Sequence, residues 1–283
     1  MAQSKQRSYQ HEVLDKLTRL SPEFEAFDYG QLRYDDDSYT LHAVKSRVWR
    51  SENPSVLITG GVHGYETSGV QGALKFALTR APDYFDEINF LIAPCVSPWG
   101  YETINRWNPH ALDPNRSFFA GSDVKEATLL MKLLDSQKVR FTAHFDLHES
   151  TKSDALEFWP ALAARDGTVA EEYEVADGFL LVGDMARPAP DFQRAIIDSV
   201  RDITHIAPAD ADGKLLGEFM TQPGAMSQNA ADMHVCMTTT DAEFVVTTEV
   251  YPDSDRITPA LCTQAQVAAV VAGLDFILGP NKG

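Results

Sequence analysis

Hydrophobic positions along the chain fall into two periods. Residues 39–48, YTLHAVKSRV, alternate apolar and polar as a half-buried strand does, whereas SVLITGG and INFLIAP are short unbroken apolar runs, the pattern of strands covered on both faces. Between those runs, TSGVQGALKFALTRA repeats its apolar residues at helical spacing behind Thr67, a candidate N-cap, so residues 55–94 are expected to form a strand, a helix and a strand. KEATLLMKLLDSQ predicts another amphipathic helix. It leads into VRFTAHFDLHES, which has strand character and ends in charged and polar residues. Further on, residues 191–203 (DFQRAIIDSVRDI) suit a helix, AEFVVTTEVYP a buried strand, and TQAQVAAVVAGLDFIL a closing helix. No repeat, low-complexity tract or linker divides the chain, so a single α/β domain over residues 1–283 is expected. Residues 95–125 and 206–240, rich in Pro, Asn, Gly and Asp, break the rhythm and read as long loops. In open α/β sheets ligands bind beyond the carboxyl ends of the strands, which makes strand ends and such loops the natural site candidates.

Composition narrows the function classes. With 44% hydrophobic and 23% charged residues the chain has the make-up of an ordinary globular protein. Its formal charge of -17, from 24 basic and 41 acidic side chains, repels phosphate backbones and anionic headgroups, which argues against nucleic acid and membrane partners. The start, MAQSKQRSYQHEVLDKL, has no apolar core of a secretion signal, and no run reads as long enough to span a bilayer, so a cytoplasmic location is expected. Cys95, Cys236 and Cys262 are odd in number and widely spaced, which fits reduced core thiols.

The chemistry concentrates at strand ends. His63 and Glu66 follow SVLITGG directly, and a tight turn can bring an imidazole and a carboxylate three residues apart onto one metal ion. Gly60, Gly61 and Gly64 permit such a turn through positive backbone angles and close approach. A catalytic zinc site takes three protein ligands and keeps a position open, so a third ligand is expected at another strand end, and His148, closing FDLHES, is the candidate. His144, Asp146 and His148 alternate along that strand and so share a face, a rival metal set. His144 lies roughly 13 Å behind the strand end at strand spacing, which suits a core or supporting residue, and Asp146 would orient a neighbour or pair with a charge.

Four features occur in one order: His63-x-x-Glu66, the DPNRSF of residues 113–118, His148, and the late TTEV with Glu249. In order and context they resemble the zinc metallocarboxypeptidases. The resemblance spans about residues 55–278 and implies a mixed, mostly parallel sheet of about eight strands flanked by helices, with one Zn²⁺ on His63, Glu66 and His148. It further implies Glu249 as general base, Arg106 as the group facing the developing oxyanion, and Asn115 with Arg116 as the grip on a substrate carboxylate. Asp113 would accept a hydrogen bond from the first zinc histidine; His110-x-x-Asp113 is a competing spacing without a third partner nearby. The chain departs from the family in SPWGY and in lacking a lid tyrosine, since none stands between Tyr173 and Tyr251. His234 is the residue of that stretch that could substitute.

The resemblance implies a zinc-dependent hydrolase that cleaves an amide bond next to a free carboxylate, in a small peptide. GGVHGYETSG and DLHES lean towards the neighbouring succinylglutamate desuccinylase/aspartoacylase branch, whose substrates are small N-acyl amino acids. A non-catalytic scaffold, the third alternative, would have lost the base or a ligand, and neither is missing.

Overall fold

In the computed structural model, which describes residues 4–35, 37–169 and 175–279, the strands form one sheet. They are β1 (Phe24–Tyr34), β2 (Asp37–Ser46), β3 (Ser55–Gly60), β4 (Asn89–Ala93), β5 (Ala143–Glu149), β6 (Leu180–Asp184), β7 (Lys214–Leu215), β8 (Glu218–Gln222), β9 (Ala225–Gln228) and β10 (Phe244–Val250). Their order is β1-β2-β4-β3-β5-β10-β6-β9-β8-β7. The strands β4, β3, β5 and β10 run parallel to their neighbours at the centre, and antiparallel pairings β1/β2, β2/β4, β10/β6, β9/β8 and β8/β7 build the flanks. The unbroken apolar runs are these central strands: β3, β4 and β5 are buried at every residue.

The sheet has ten strands where about eight were expected. β1 pairs along most of β2 as a hairpin. The stretch 206–240, expected as a loop, contains β7, β8 and β9, strands of 2, 5 and 4 residues at the sheet edge. Edge strands this short, with β8 largely solvent-facing, carry no apolar run to mark them. Residues 95–125 hold only the short helix α3 (below) and a 3₁₀ turn, Pro114–Arg116, before the next long helix.

The helices are α1 (Asp15–Leu17, following a π-turn at Gln10–Leu14), α2 (Thr67–Thr79), α3 (Pro98–Thr103), α4 (Lys125–Gln137), α5 (Trp159–Asp166), α6 (Pro190–Arg201) and α7 (Pro259–Leu278). On one face of the sheet Ile58, Phe145 and Leu147 pack with Val70 and Leu74 of α2, Ile196 of α6 and Val270 of α7. On the other, Leu57, Leu91 and Val245 pack with Leu130, Leu133 and Leu134 of α4. Each such buried aliphatic side chain contributes roughly 1.5–3 kcal/mol relative to exposure.

Two expectations need correction. Helix α7, with 20 residues and a mean hydropathy of 1.6 over its most apolar stretch, is long and apolar enough to cross a bilayer, although half of that stretch is buried in the fold, as in a core helix. Its apolar character serves packing against α2 and α6. Thr67 does not cap α2 but begins it; the free N–H groups of Thr67 and Ser68 donate to the carboxylate of Glu149 at 3.1 and 2.8 Å. That buried carboxylate at a helix N-terminus supplies from a neighbouring strand what a local cap would have given.

Candidate active site

His63 and Glu66 stand in the turn between β3 and α2. The turn needs glycine at two points: Gly61 has φ +61°, and a Cβ on Gly64 would lie 2.2 Å from the carbonyl oxygen of Ser97. SPWGY, the departure noted in sequence, lies beneath this turn, where the Ser97 hydroxyl donates to Val62 O at 2.6 Å. Its Tyr101 hydroxyl donates to Glu12 at 2.6 Å. This segment shapes the turn.

Parallel pairing of β3, β5 and β10 then aligns three strand ends, with Gly60 opposite Leu147 and Glu249 opposite His148. The Nδ1 atoms of His63 and His148 approach the two oxygens of Glu66 at 2.8 and 2.7 Å, and one ligating atom from each residue falls within 4.8 Å of the others. Each imidazole is backed on its far side. His63 Nε2 lies 2.9 Å from Asp113 Oδ1, and His148 Nε2 lies 3.0 Å from Asp146 Oδ2. Two Nδ1 atoms and a carboxylate converging, each ring fixed from behind by a carboxylate, fit a divalent metal ion.

Electrostatics agree with that fit. Burial disfavours a charged His148, but Asp146 and Glu66 outweigh it and raise its pKa well above the usual imidazole range. Glu66 goes the other way: burial raises it, yet His148 and His63 pull it down to about 2. The metal-free cluster therefore stores a proton on an imidazole where a cation could sit.

The rival set of His144, Asp146 and His148 is divided: His148 joins His63 and Glu66, and His144 and Asp146 stand behind it as a support. His144, Asp146 and Cys236 bring ligating atoms within 4.8 Å, but the Thr59 hydroxyl already bonds among them. It donates to Asp146 Oδ1 at 2.6 Å and lies 2.9 Å from His144 Nε2 and 3.6 Å from Cys236 Sγ. A hydroxyl has one proton, so once it donates to Asp146 it accepts from His144. Burial lowers the His144 pKa to about 4, consistent with a neutral ring donating through Nε2. The line His144, Thr59, Asp146, His148 therefore orients a candidate ligand from the interior. Thr59→Val should weaken metal affinity by about 10- to 100-fold while Thr59→Ser preserves it, read by competition with a chromogenic chelator; equal affinity in both variants would refute the support.

Glu249, at the end of β10, opens onto the same cavity as His63 and Glu66 and accepts a hydrogen bond from Ser150 Oγ at 3.0 Å. Glu249 makes no ion pair with a Lys or Arg among the described residues. Burial, reinforced by Glu66 and Asp154 against the pull of His148, pushes its pKa up to about 8. Arg106 also lines the cavity. Its Nη1 donates to Asp154 at 2.8 Å and its Nε to Asp113 at 3.4 Å, and the guanidinium lies 3.8 Å over the Phe158 ring. Nη2 makes no such bond among the described residues. Asn115 and Arg116 line the cavity too, but the Asn115 Oδ1 accepts from the Cys236 N–H at 2.7 Å, so half of that amide is committed to the fold. Arg116 Nη1 donates to Asn115 O at 2.7 Å.

His234 does not replace the lid tyrosine: it is exposed, at φ 53°, with its ring 4.8 Å from Phe119, and does not line the cavity. Tyr173, the tyrosine bounding that stretch, lies outside the described residues. His110 is exposed against Tyr34, away from any ligand set. Cys95, Cys236 and Cys262 are free and buried, as expected. Sequence reading missed Thr59, Ser150 and Asp154. Asp154 follows β5 by five residues in a polar stretch, where a site acid was a reasonable candidate, and it also accepts from the Tyr65 hydroxyl at 2.8 Å. Thr59 meets Asp146 only through strand register, which no local pattern reveals.

A cavity of about 510 Å³ bounded by these groups lies at the carboxyl ends of parallel strands, and the fold is carboxypeptidase-like. The resemblance read from the motifs holds in two comparisons. Residues 52–179 match the succinylglutamate desuccinylase/aspartoacylase catalytic domain, a segment that contains every site residue named above from Thr59 to Asp154 and ends before Glu249. Solved structures with the same fold include a candidate metallopeptidase from Shewanella denitrificans, 18% identical, with a TM-score of 0.68 over 94% of this chain and 88% of that one. They also include metallo-carboxypeptidases from Burkholderia cenocepacia and Pseudomonas aeruginosa, each 13% identical, with TM-scores of 0.64 and 0.63 over 95% of this chain and 69% and 68% of theirs. No curated protein matches in sequence.

Proposed function

We propose that the protein is a zinc-dependent hydrolase of an amide bond adjacent to a free carboxylate. The observation that carries this reading is the meeting of His63, Glu66 and His148 at one edge of a cavity that Glu249 and Arg116 also enter. A divalent metal bound by His63, Glu66 and His148 would acidify water and polarise a carbonyl. Glu249 takes the proton of the attacking water and delivers it to the departing amine, a transfer for which a carboxylate with a pKa near neutrality is suited. Arg106, fixed by Asp113, Asp154 and the Phe158 ring, directs its remaining donor Nη2 towards charge developing on the carbonyl oxygen. Arg116 takes the substrate carboxylate, joined by the free amide N–H of Asn115.

The leading form of this activity is a carboxypeptidase acting on small peptides. The deacylase form, acting on N-acyl amino acids, is favoured by the family match over residues 52–179. Both forms require the free carboxylate. Metal-loaded protein should therefore hydrolyse a blocked dipeptide or an N-acyl amino acid at least about a hundredfold faster than the corresponding methyl ester. Equal rates on acid and ester would sink the reading, and the ratio between the two substrate series chooses its form.

A further inference from the structure

We propose that the substrate of this site carries a single carboxylate and an apolar side group. The inference rests on the hydrolase reading above and specifies its substrate.

The charge census of the cavity is one-sided. Among the described lining residues the only Lys or Arg side chains are Arg106 and Arg116. Arg106 is already bonded to two carboxylates, Asp113 and Asp154. Arg165, close in sequence to the cavity mouth, pairs with Asp166 at 2.7 Å and does not line the cavity. Arg116 makes no ion pair with a carboxylate among the described residues; its bond goes to a backbone carbonyl. Burial and the neighbouring Arg106 disfavour its charge, so an anion from the ligand would relieve it. Against this one available cation the walls present Glu218 and Glu249, besides Glu149, Asp154 and Asp166, which are engaged by the N-terminus of α2, by Arg106 and by Arg165. With the metal and Arg106 committed to the scissile carbonyl in the hydrolase reading, a second ligand carboxylate would have to shed water beside these acids with no further Lys or Arg among the described lining residues to receive it.

The remaining wall is apolar by construction of the sheet. Thr247 of β10 stands opposite Val182 of β6, and Val182 opposite Met226 of β9, so the three side chains form one row on the cavity face behind Glu249. Leu216, Met233 and Val235 also line the cavity. Met233 and Val235 adjoin the carboxylate grip through the bond from Cys236 N to Asn115. A ligand anchored at Arg116 therefore meets a surface of methyl and thioether groups, and methionines at such a wall accommodate varied apolar shapes. N-Succinylglutamate has three carboxylates and N-acylaspartate two, so this cavity differs in kind from one built for either.

The test uses full-length, metal-loaded protein. N-Acetyl derivatives of leucine, methionine and phenylalanine are compared with those of aspartate and glutamate, alongside benzoylglycyl dipeptides ending in the same residues. In whichever series is hydrolysed, kcat/KM for the apolar members should exceed that for the acidic members by at least about a hundredfold; parity, or preference for the acidic ones, overturns the proposal. Calorimetric titration with 3-phenylpropanoate and with glutarate, neither of which has an amide bond, reads the same preference without turnover. If nothing is hydrolysed, the hydrolase reading fails, and the binding ratio alone decides the ligand class: tighter 3-phenylpropanoate supports it, equal or tighter glutarate refutes it. Gln228→Lys, which brings a cation to the lining, should narrow the ratio by about tenfold or more; an unchanged ratio would refute the assignment of this wall to the side group.

Discussion

Replacing Glu249 with Gln should lower kcat by about 10²- to 10⁴-fold while the protein still takes up its metal at saturating concentration. The substitution keeps size and the capacity to accept from Ser150 Oγ, so the cavity should keep its shape. What it removes is a proton acceptor. Metal content would be measured by elemental analysis and turnover by initial rates on the better of the two substrate series. A variant that retains metal and full activity removes Glu249 from the chemistry; one that loses metal shows that it supports the ligands instead. KM should move little if Arg116 does the gripping, whereas Arg116→Ala should act mainly on KM.

A second large effect is expected from stripping and restoring the metal at different pH values. Chelation should abolish activity, and a divalent metal should restore it. The sign of the pH dependence follows from the metal-free cluster. Asp146 and Glu66 raise His148 well above its usual pKa despite burial, so at neutral pH its imidazole carries a proton in the metal-free protein. A metal requires the neutral ring, so each binding event expels that proton. Glu249, at about 8 without metal, is also largely protonated at neutral pH, and a nearby dication favours its ionised form, which releases a second. Apparent affinity should therefore climb with pH, by about tenfold per unit for each proton expelled, and level off once both groups are deprotonated in the metal-free protein. Titrations in buffers of differing ionisation enthalpy would count the protons; a pH-independent affinity would contradict the placement of the metal between these two histidines.

How much of this was legible in the chain depended on whether a signal was local. The turn at His63 announced itself because glycines, an apolar run and a helical period lie side by side, and His148 did because it ends the next buried run. Arg106, Asp113, Asn115 and Arg116 emerged from the order of motifs, and the structure brings all four to the same cavity or to the back of a candidate ligand. Thr59 could not be read, because its meaning comes from the register that sets it beside Asp146. β7, β8 and β9 were equally silent: short edge strands gain their hydrogen bonds from a sheet already formed rather than from their own apolar period. The cap on α2 shows the same limit, since Glu149 reaches it from a strand far along the chain. For α7 composition was ambiguous in itself, a core helix and a bilayer-crossing one satisfying the same length and hydropathy.

The position of β10 has a consequence for how the protein is made. It is the last strand in sequence yet lies between β5 and β6, at the middle of the sheet. A ribosome that has released only the first 179 residues has already supplied all three candidate ligands, but β5 still presents an open hydrogen-bonding edge. That growing chain is poorly defended against sticking to its siblings. The nascent polypeptide cannot close its interior until β10 has been made, so chaperone cover should matter most in the interval between translation of residues 149 and 250.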